Sequence, residues 1–388
     1  MTALKKNPRR EFVRHEVILA QAPPSQKWRA LDAVKTIQFA FKHHPFQSML
    51  SLLLLGVVMV GGWTAIDWGI LNAVFSPDEA ACQAARSTGA CWGMIAEKYN
   101  LILWGRYPFD QQWRALWAVI LIVLTLVFSS LQSSWAPRRR TWLYTSWIFC
   151  ALCFELLMSG RIFGLNTPLE LSQVETELWG GLPLTLFLSI ASIALATPLG
   201  IMLALARTSD MPLLRSLSIT FIEVVRGVPL ISVLFMASFL FPLLLPSLKS
   251  PDVLLRVLVG ITLFSSAYTA EVVRAGLLSV SSGQIEAAQS LGLGYWATQR
   301  HVVLPQALAH VTPGLVNNFI SIFKDTSLVT IVSLYELTGS LGLALNGDPI
   351  WRPYKLEGYL FIGLIYFGFC FAMSSLSQKF QNQQRHQL

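Results

Sequence analysis

SSGQIEAAQSLGLGYWATQRHVVLPQAL, residues 281–308, separates two long apolar runs and is the longest polar interruption in the second half of the chain. Gln284–Leu291 is rich in good helix formers, with small Ala287 and Ala288 beside polar Glu286 and Gln289, and predicts one short helix. Gly292 and Gly294 stop it. Tyr295–Val303 predicts a second short helix carrying Arg300 and His301, and Pro305 stands where the next long helix begins. Two short helices set at an angle between membrane-length runs have the form of a docking element.

The flanking runs belong to a chain that water alone would dissolve poorly. Of 388 residues 54% are hydrophobic and 13% charged, against roughly a quarter charged in ordinary soluble proteins. A helix needs about 20 apolar residues to cross hydrocarbon, because lipid offers its backbone groups no outside partner. Phe46–Ile70, Trp113–Leu131, Trp142–Leu165, Leu182–Ala206, Leu217–Leu245, Val253–Val273, Ala307–Leu334 and Leu356–Ser377 meet that requirement. The fold class expected is an all-α integral membrane protein of about eight transmembrane helices.

Eight crossings put both termini on one side, and basic residues choose the side, since cytoplasmic loops retain Lys and Arg. With both ends inside, most of the 29 Lys and Arg fall in cytoplasmic segments, including Lys5, Lys6, Arg9, Arg10, Arg14, Lys27, Arg29, Lys35 and Lys42 of the tail. The net charge of +8 therefore reflects topology, with contact to anionic lipid as a second effect, and gives no reason to expect a nucleic-acid partner. The polar residues ahead of the first apolar run are unlike a cleavable signal, so that run is expected to stay as an anchor. The loop 281–305 is then cytoplasmic.

Residues 1–45 form a basic cytoplasmic tail, 46–165 an accessory three-helix segment, 166–180 an external linker, and 181–378 a five-helix domain. Pro137-Arg138-Arg139-Arg140 pins a tight internal turn. Cys82 and Cys91 share the first external loop, where an oxidising compartment permits a disulfide. Cys150 and Cys153 sit inside an apolar span without the polar surroundings of a redox or metal site. The sequence contains no G-x-x-x-x-G-K-[ST] phosphate loop, so any nucleotide energy must come from another subunit.

The spacing Glu286-Ala287-Ala288, then Gly292, then Leu304-Pro305 resembles the EAA signature of permease subunits of type I ATP-binding-cassette importers. Ile222-Glu223-Val224-Val225-Arg226-Gly227-Val228-Pro229-Leu230, Ala270-Glu271-Val272-Val273-Arg274-Ala275-Gly276, Asn317-x-Phe319-Ile320 and Lys324-Asp325-Thr326-Ser327-Leu328 are similar to the polar amino-acid branch of that family. The resemblance covers about residues 178–378. The three extra N-terminal spans resemble permeases of general L-amino-acid importers.

The resemblance implies an inner-membrane permease that binds no cofactor and is not an enzyme. It would be driven by a cytoplasmic ATPase dimer using ATP and Mg and supplied by an external amino-acid-binding protein. It would pair with a second permease, a related but different chain or another copy. Glu286, Ala287, Ala288 and Gly292 would then form the coupling helix. The physical reasons agree: small alanines permit close approach, Glu286 can pair with a basic residue, and Gly292 permits the turn that sets the helix angle.

Polar residues inside spans are costly and are functional candidates by default. Asn318 and Asp325 are two helical turns apart with Ser321 between them, a polar stripe that can line an aqueous path or bond neighbouring helices. Gly227-Val228-Pro229 interrupts the fifth span, and Pro229 frees an upstream carbonyl; broken helices in transporters often line the binding site. Glu223 and Arg226, and Glu271 and Arg274, are three apart and suit helical ion pairs near a cytoplasmic gate. Glu155 and Arg161, six apart, would not face each other well. A secondary transporter using Asp325 or Glu155 as its ion site is the rival reading, and it leaves the 281–305 loop unexplained. An intramembrane hydrolase would need a positioned nucleophile and base, and no histidine sits well inside an apolar span.

Overall fold

The structure is a computed structural model that describes residues 45–131, 137–162, 165–166, 171–244 and 251–385. The basic tail before Pro45 lies outside the described residues, as does part of the linker expected at 166–180. The chain divides into two units, Met1–Asp67 and Trp68–Leu388. In the first, α1 (Pro45–Ile66) is an uncharged helix of 22 residues, about 33 Å long at 1.5 Å per residue. That matches the thickness of a bilayer core.

Within the second unit, α2 (Glu79–Ala85) and α3 (Gly93–Trp104) are short and precede α4 (Gln112–Leu131) and α5 (Pro137–Ser159). A two-residue hairpin pairs Arg161–Ile162 with Leu165–Asn166. Then follow α6 (Gly181–Arg207), α7 (Pro212–Gly227), α8 (Leu230–Phe235), α9 (Val253–Ser279), α10 (Ser282–Ser290), α11 (Tyr295–Thr298), α12 (Leu304–Asp325), α13 (Leu337–Asn346) and α14 (Lys355–Arg385). One buried apolar cluster runs from Cys82 through Met158 and Leu188 to Ile362. The linker expected at 166–180 falls inside this unit.

Among the described residues seven helices are long and apolar enough to cross a membrane, or eight with one bent pair counted as a single span. Within the expected fifth span the interruption at Gly227-Val228-Pro229 is present: Pro212–Gly227 and Leu230–Leu240 are two helices that meet at 104°. The cause is local: Val228 is extended at φ −104° and ψ 136°, and Pro229 caps the next helix. Proline has no N–H to continue the ladder and forces the residue before it out of the helical region.

Small residues let the central helices approach. Ala196, Gly200 and Ala204 recur every four residues on the buried face of α6, the spacing that brings membrane helices into close contact. A Cβ on Gly200 would lie 2.6 Å from Thr269 Cβ of α9. Gly276 of α9 makes the corresponding approach to α12, where a Cβ would stand 2.6 Å from the Ala307 carbonyl oxygen.

At the end of α5 a buried arginine replaces a capping residue. Arg114, 1% exposed, donates to the carbonyls of Leu157 at 2.6 Å and Ser172 at 2.9 Å and to Gln111 Oε1 at 2.6 Å. The Tyr107 hydroxyl donates to the Met158 carbonyl at 3.0 Å. Burial pushes the Tyr107 phenol up to about 12, so it keeps the proton it donates. A cation at a helix C-terminus meets the negative end of the macrodipole, which makes the buried charge tolerable without a carboxylate.

Candidate functional site

The polar loop 281–305 folds around a left-handed glycine. α10 ends at Ser290, Gly292 takes φ +78°, its N–H donates to Gln289 O at 2.9 Å, and Leu293 N–H donates to Ala288 O at 3.1 Å. This is the double-bonded helix stop in which glycine avoids a Cβ penalty. A Cβ at Gly292 would touch nothing, so the requirement is conformational and not steric.

Beyond Gly294 the structure differs from the expectation of a second separate helix. Tyr295–Thr298 runs through a π-helical turn, Gln299–Val303, directly into α12, giving one continuous element from Tyr295 to Val332. Pro305 sits inside this continuous element just after the π turn. The wide π turn absorbs the register change at that junction. Any movement of the loop is thereby tied mechanically to the membrane helix.

The four residues predicted for coupling separate by face. Glu286 and Ala287 are exposed, whereas Ala288 is buried. Val280, Val303 and Ala307 form a small apolar cluster against which Ile285 packs. Ala288, 3% exposed, is covered by the chain itself, and Ala287 alone of the pair presents a small outer surface. The same loop exposes Leu291, at 82%, Trp296, at 74%, and Tyr295. These apolar side chains at a polar loop were not singled out by the sequence reading; bulky apolar residues inside an otherwise polar loop were the available signal.

At the same end of the bundle five charged residues from three helices converge. Arg207 Nη1 reaches Glu271 Oε1 at 2.7 Å and Glu223 Oε1 at 3.0 Å. Arg274 Nη2 lies 3.0 Å from Glu271 Oε2, and Arg226 Nη1 lies 3.7 Å from it. The Arg226 guanidinium also covers the Tyr268 ring at 5.4 Å. The expected Glu271 and Arg274 pair is present, but Glu223 bonds Arg207 and not Arg226. Packing of α6 against α7 offers Glu223 a closer cation than its own helix does. Glu271 is the hub that joins α6, α7 and α9.

Of the expected polar stripe of α12, Ser321 is exposed while Asn318 and Asp325 are partly covered. Asn318 Nδ2 donates to Thr269 Oγ1 of α9 at 2.8 Å, so it belongs to a helix contact. Asp325 is half-buried at the helix end. The exposed polar residues are Asn317, Ser321 and Lys324, at i, i+4 and i+7; the Ser321 hydroxyl donates back to Asn317 O at 3.1 Å. By contrast Leu364, Phe367 and Phe371 of α14 form an exposed apolar face. Lipid suits the second face and not the first. Val228 and Pro229 lie at the bend between α7 and α8, with Pro229 O accepting from Ser232 N at 3.0 Å.

At the opposite end a buried carboxylate ties the bundle. Glu336 caps α13 by accepting from Thr338 and Gly339 N–H at 3.0 Å, and accepts from Tyr366 at 2.8 Å, Thr330 at 3.1 Å and Thr185 at 3.3 Å. A disulfide joins Cys82 and Cys91 on the same side. Cys150 is buried and Cys153 half-buried, both unbonded.

Membrane-length helices, an exposed helical loop continuous with one of them, and a polar face within a span define a multi-helix membrane transport component. Residues 196–386 match the family described as binding-protein-dependent transport system inner membrane component. The chain is 45% identical over 335 residues to the inner membrane amino-acid ABC transporter permease protein YhdY of Escherichia coli (strain K12), covering 84% of this chain and 87% of that protein. It is 35% identical over 423 residues to the glutamate/glutamine/aspartate/asparagine transport system permease protein BztC of Rhodobacter capsulatus, covering 94% and 96%. A solved structure described as an amino acid ABC transporter with histidines aligns at 30% identity and a TM-score of 0.45 over 52% of this chain and 92% of that one. The chain belongs to the family of permease components of binding-protein-dependent ABC transport systems.

Proposed function

We propose that this chain is the permease subunit of an amino-acid importer, lining the translocation path and coupling it to a separate ATPase. The observation that carries the proposal is the continuity of the exposed loop with a membrane helix, from α10 across Gly292 into Tyr295–Val332. A push on Glu286 and Ala287 would be passed along that helix to the polar stripe. The ATPase, a cytoplasmic dimer, would use ATP and Mg, and this chain would act as the driven element. Both termini would be cytoplasmic and the Cys82–Cys91 side external, where an amino-acid-binding protein would dock. A second permease, most simply a related chain, would cover the exposed polar face of α12.

Amino-acid specificity rests on the relatives, whose names carry it over most of the chain's length. The test is reconstitution of the purified complex in liposomes with ATP enclosed on the loop side. ATP-dependent uptake of an L-amino acid, lost when the ATPase is omitted, is the expected result. Uptake driven by a proton or sodium gradient without ATPase would refute the proposal.

A further inference from the structure

Arg256 stands in the first turn of α9, a helix long and apolar enough to cross a membrane, and among the described residues it has no carboxylate within ion-pair distance. A charge in a span is costly unless it is paired. Asp252, one turn earlier, is engaged elsewhere, accepting from the Thr176 hydroxyl. Arginines near the end of a span commonly extend to the membrane surface, but this one is held back. Its Nη1 donates at 2.5 Å to the carbonyl of Ser238, in the π-helical turn Met236–Leu240 that follows α8. Its Nε and the Ser238 hydroxyl are buried with no hydrogen-bond partner among the described residues.

Arg256 lines an otherwise apolar groove of about 400 Å³ with Val233, Met236, Ala237, Leu255, Val259 and Leu263. Gly260 lines it too, and a Cβ there would stand 3.4 Å from Ala237 Cβ, so two of the smallest side chains face each other and leave the groove open. Met236, Leu255, Val259 and Leu263 are exposed. Along α9 the lining runs from Arg256 to Leu263, about 10 Å toward the middle of the span at 1.5 Å per residue. The charge is therefore at the end of the span and the apolar wall extends inward from it. A phospholipid has the same polarity, with phosphate at the surface and acyl chain toward the midplane. The guanidinium fork matches phosphate oxygens in geometry as well as charge. A small polar solute would leave the apolar wall uncovered, and a helix of another subunit would have to bring a carboxylate to the same depth.

We propose that this groove binds one phospholipid, its phosphate on Arg256 and an acyl chain lying over Gly260 between α8 and α9. The site shares no residue with the exposed stripe of α12 and stands whatever solute the chain carries. Its occupant would fasten α8, which leaves α7 at 104°, against α9.

The test uses the full-length chain, purified in detergent with the subunits that accompany it, stripped of lipid and titrated under native mass spectrometry. The probes are phosphatidylglycerol, a diacylglycerol of the same chains, and glycerol 3-phosphate. The wild type is expected to bind phosphatidylglycerol tighter than either fragment by roughly tenfold or more, the range for a hydrogen bond to a charged group. Arg256→Gln is expected to bring phosphatidylglycerol down to the level of the diacylglycerol. Val259→Trp, which fills the groove from an exposed position and leaves Arg256 in place, is expected to weaken both lipids together. An unchanged preference for phosphatidylglycerol in Arg256→Gln overturns the proposal, as does unchanged lipid binding in Val259→Trp. Glycerol 3-phosphate binding as tightly as phosphatidylglycerol overturns it as well, since the groove then adds nothing to an anion site. If Arg256→Gln does not fold, Val259→Trp decides alone. A cross-link from Val259→Cys to a second permease in the membrane would also overturn it, by placing protein where lipid is proposed.

Discussion

The backbone N–H of Cys91 donates to the Glu357 carboxylate across 3.0 Å in a buried setting, joining residues 266 apart in the chain. This bond fastens the disulfide-closed loop onto the start of α14. Lys98 adds a second fastening, lying 2.9 Å from Asp348. The loop between the first and second spans is therefore built into the end of the bundle that also holds α13.

Replacing Glu357 with Ala leaves the buried Cys91 N–H without an acceptor, a loss of about 1–3 kcal/mol. Glu357→Gln keeps an acceptor oxygen and should cost less. Thermal unfolding of the detergent-purified chain checks this, with the melting temperature falling in the order wild type, Gln, Ala.

The Lys98 hydrogen bond holds the Asp348 carboxyl below its ordinary value of 3.8. A carboxylate with a lowered folded-state value contributes stability above the unfolded value and loses it as pH falls through the folded one. Asp348→Asn should therefore melt below wild type at pH 6, and the two should converge as pH falls through the lowered folded-state value of the carboxyl. Melting curves across that range read the effect directly.

Glu271 is hydrogen-bonded by Arg207 and Arg274 and faces Arg226. Glu271→Gln leaves three arginines around a neutral amide, with one remaining counter-charge, Glu223. The expected loss is about 1 kcal/mol, since partly exposed pairs are screened by solvent. The loss should shrink as salt rises, because added ions screen the repulsion left behind. A melting series from low to high salt measures it, and a salt-independent loss would assign the hub to packing alone.

Gly292 at φ +78° predicts that Gly292→Ala destabilises the turn after α10 by about 1 kcal/mol. Asn, which tolerates the left-handed region, should be milder. ATP hydrolysis and amino-acid uptake measured together would show hydrolysis outlasting transport in the Ala variant, as the loop loses its set angle while the bundle stays folded.

Much of this was legible in the sequence because the strongest signals are local. Apolar run lengths gave the spans, Gly227-Val228-Pro229 marked the bend, and Gly292 marked the stop of α10. What escaped depended on the packing of one helix on another. A residue step turns a helix by about 100°, so Asn317 and Asn318 differ only in which meets Thr269, and periodicity does not decide that. Glu223 had a cation at i+3 on its own helix and found a nearer one on α6. Arg114 and Glu336 gave no pattern at all, because their partners are backbone groups and hydroxyls brought together by the fold. The end of the second short helix was also misread: Pro305 looks like a boundary, yet the π turn before it lets the helix continue.

The central claim is that Glu286 and Ala287 press against an ATPase and pass its motion through Gly292 into α12. A thiol-reactive cross-linker placed on Ala287→Cys in the membrane-embedded complex tests it most directly. The account predicts a cross-link to the ATPase whose yield changes with ATP, and no such product from a cysteine at Leu364 on the apolar face of α14. ATP-driven uptake without any cross-link from position 287, or a cross-link at position 364 of equal yield, would contradict it.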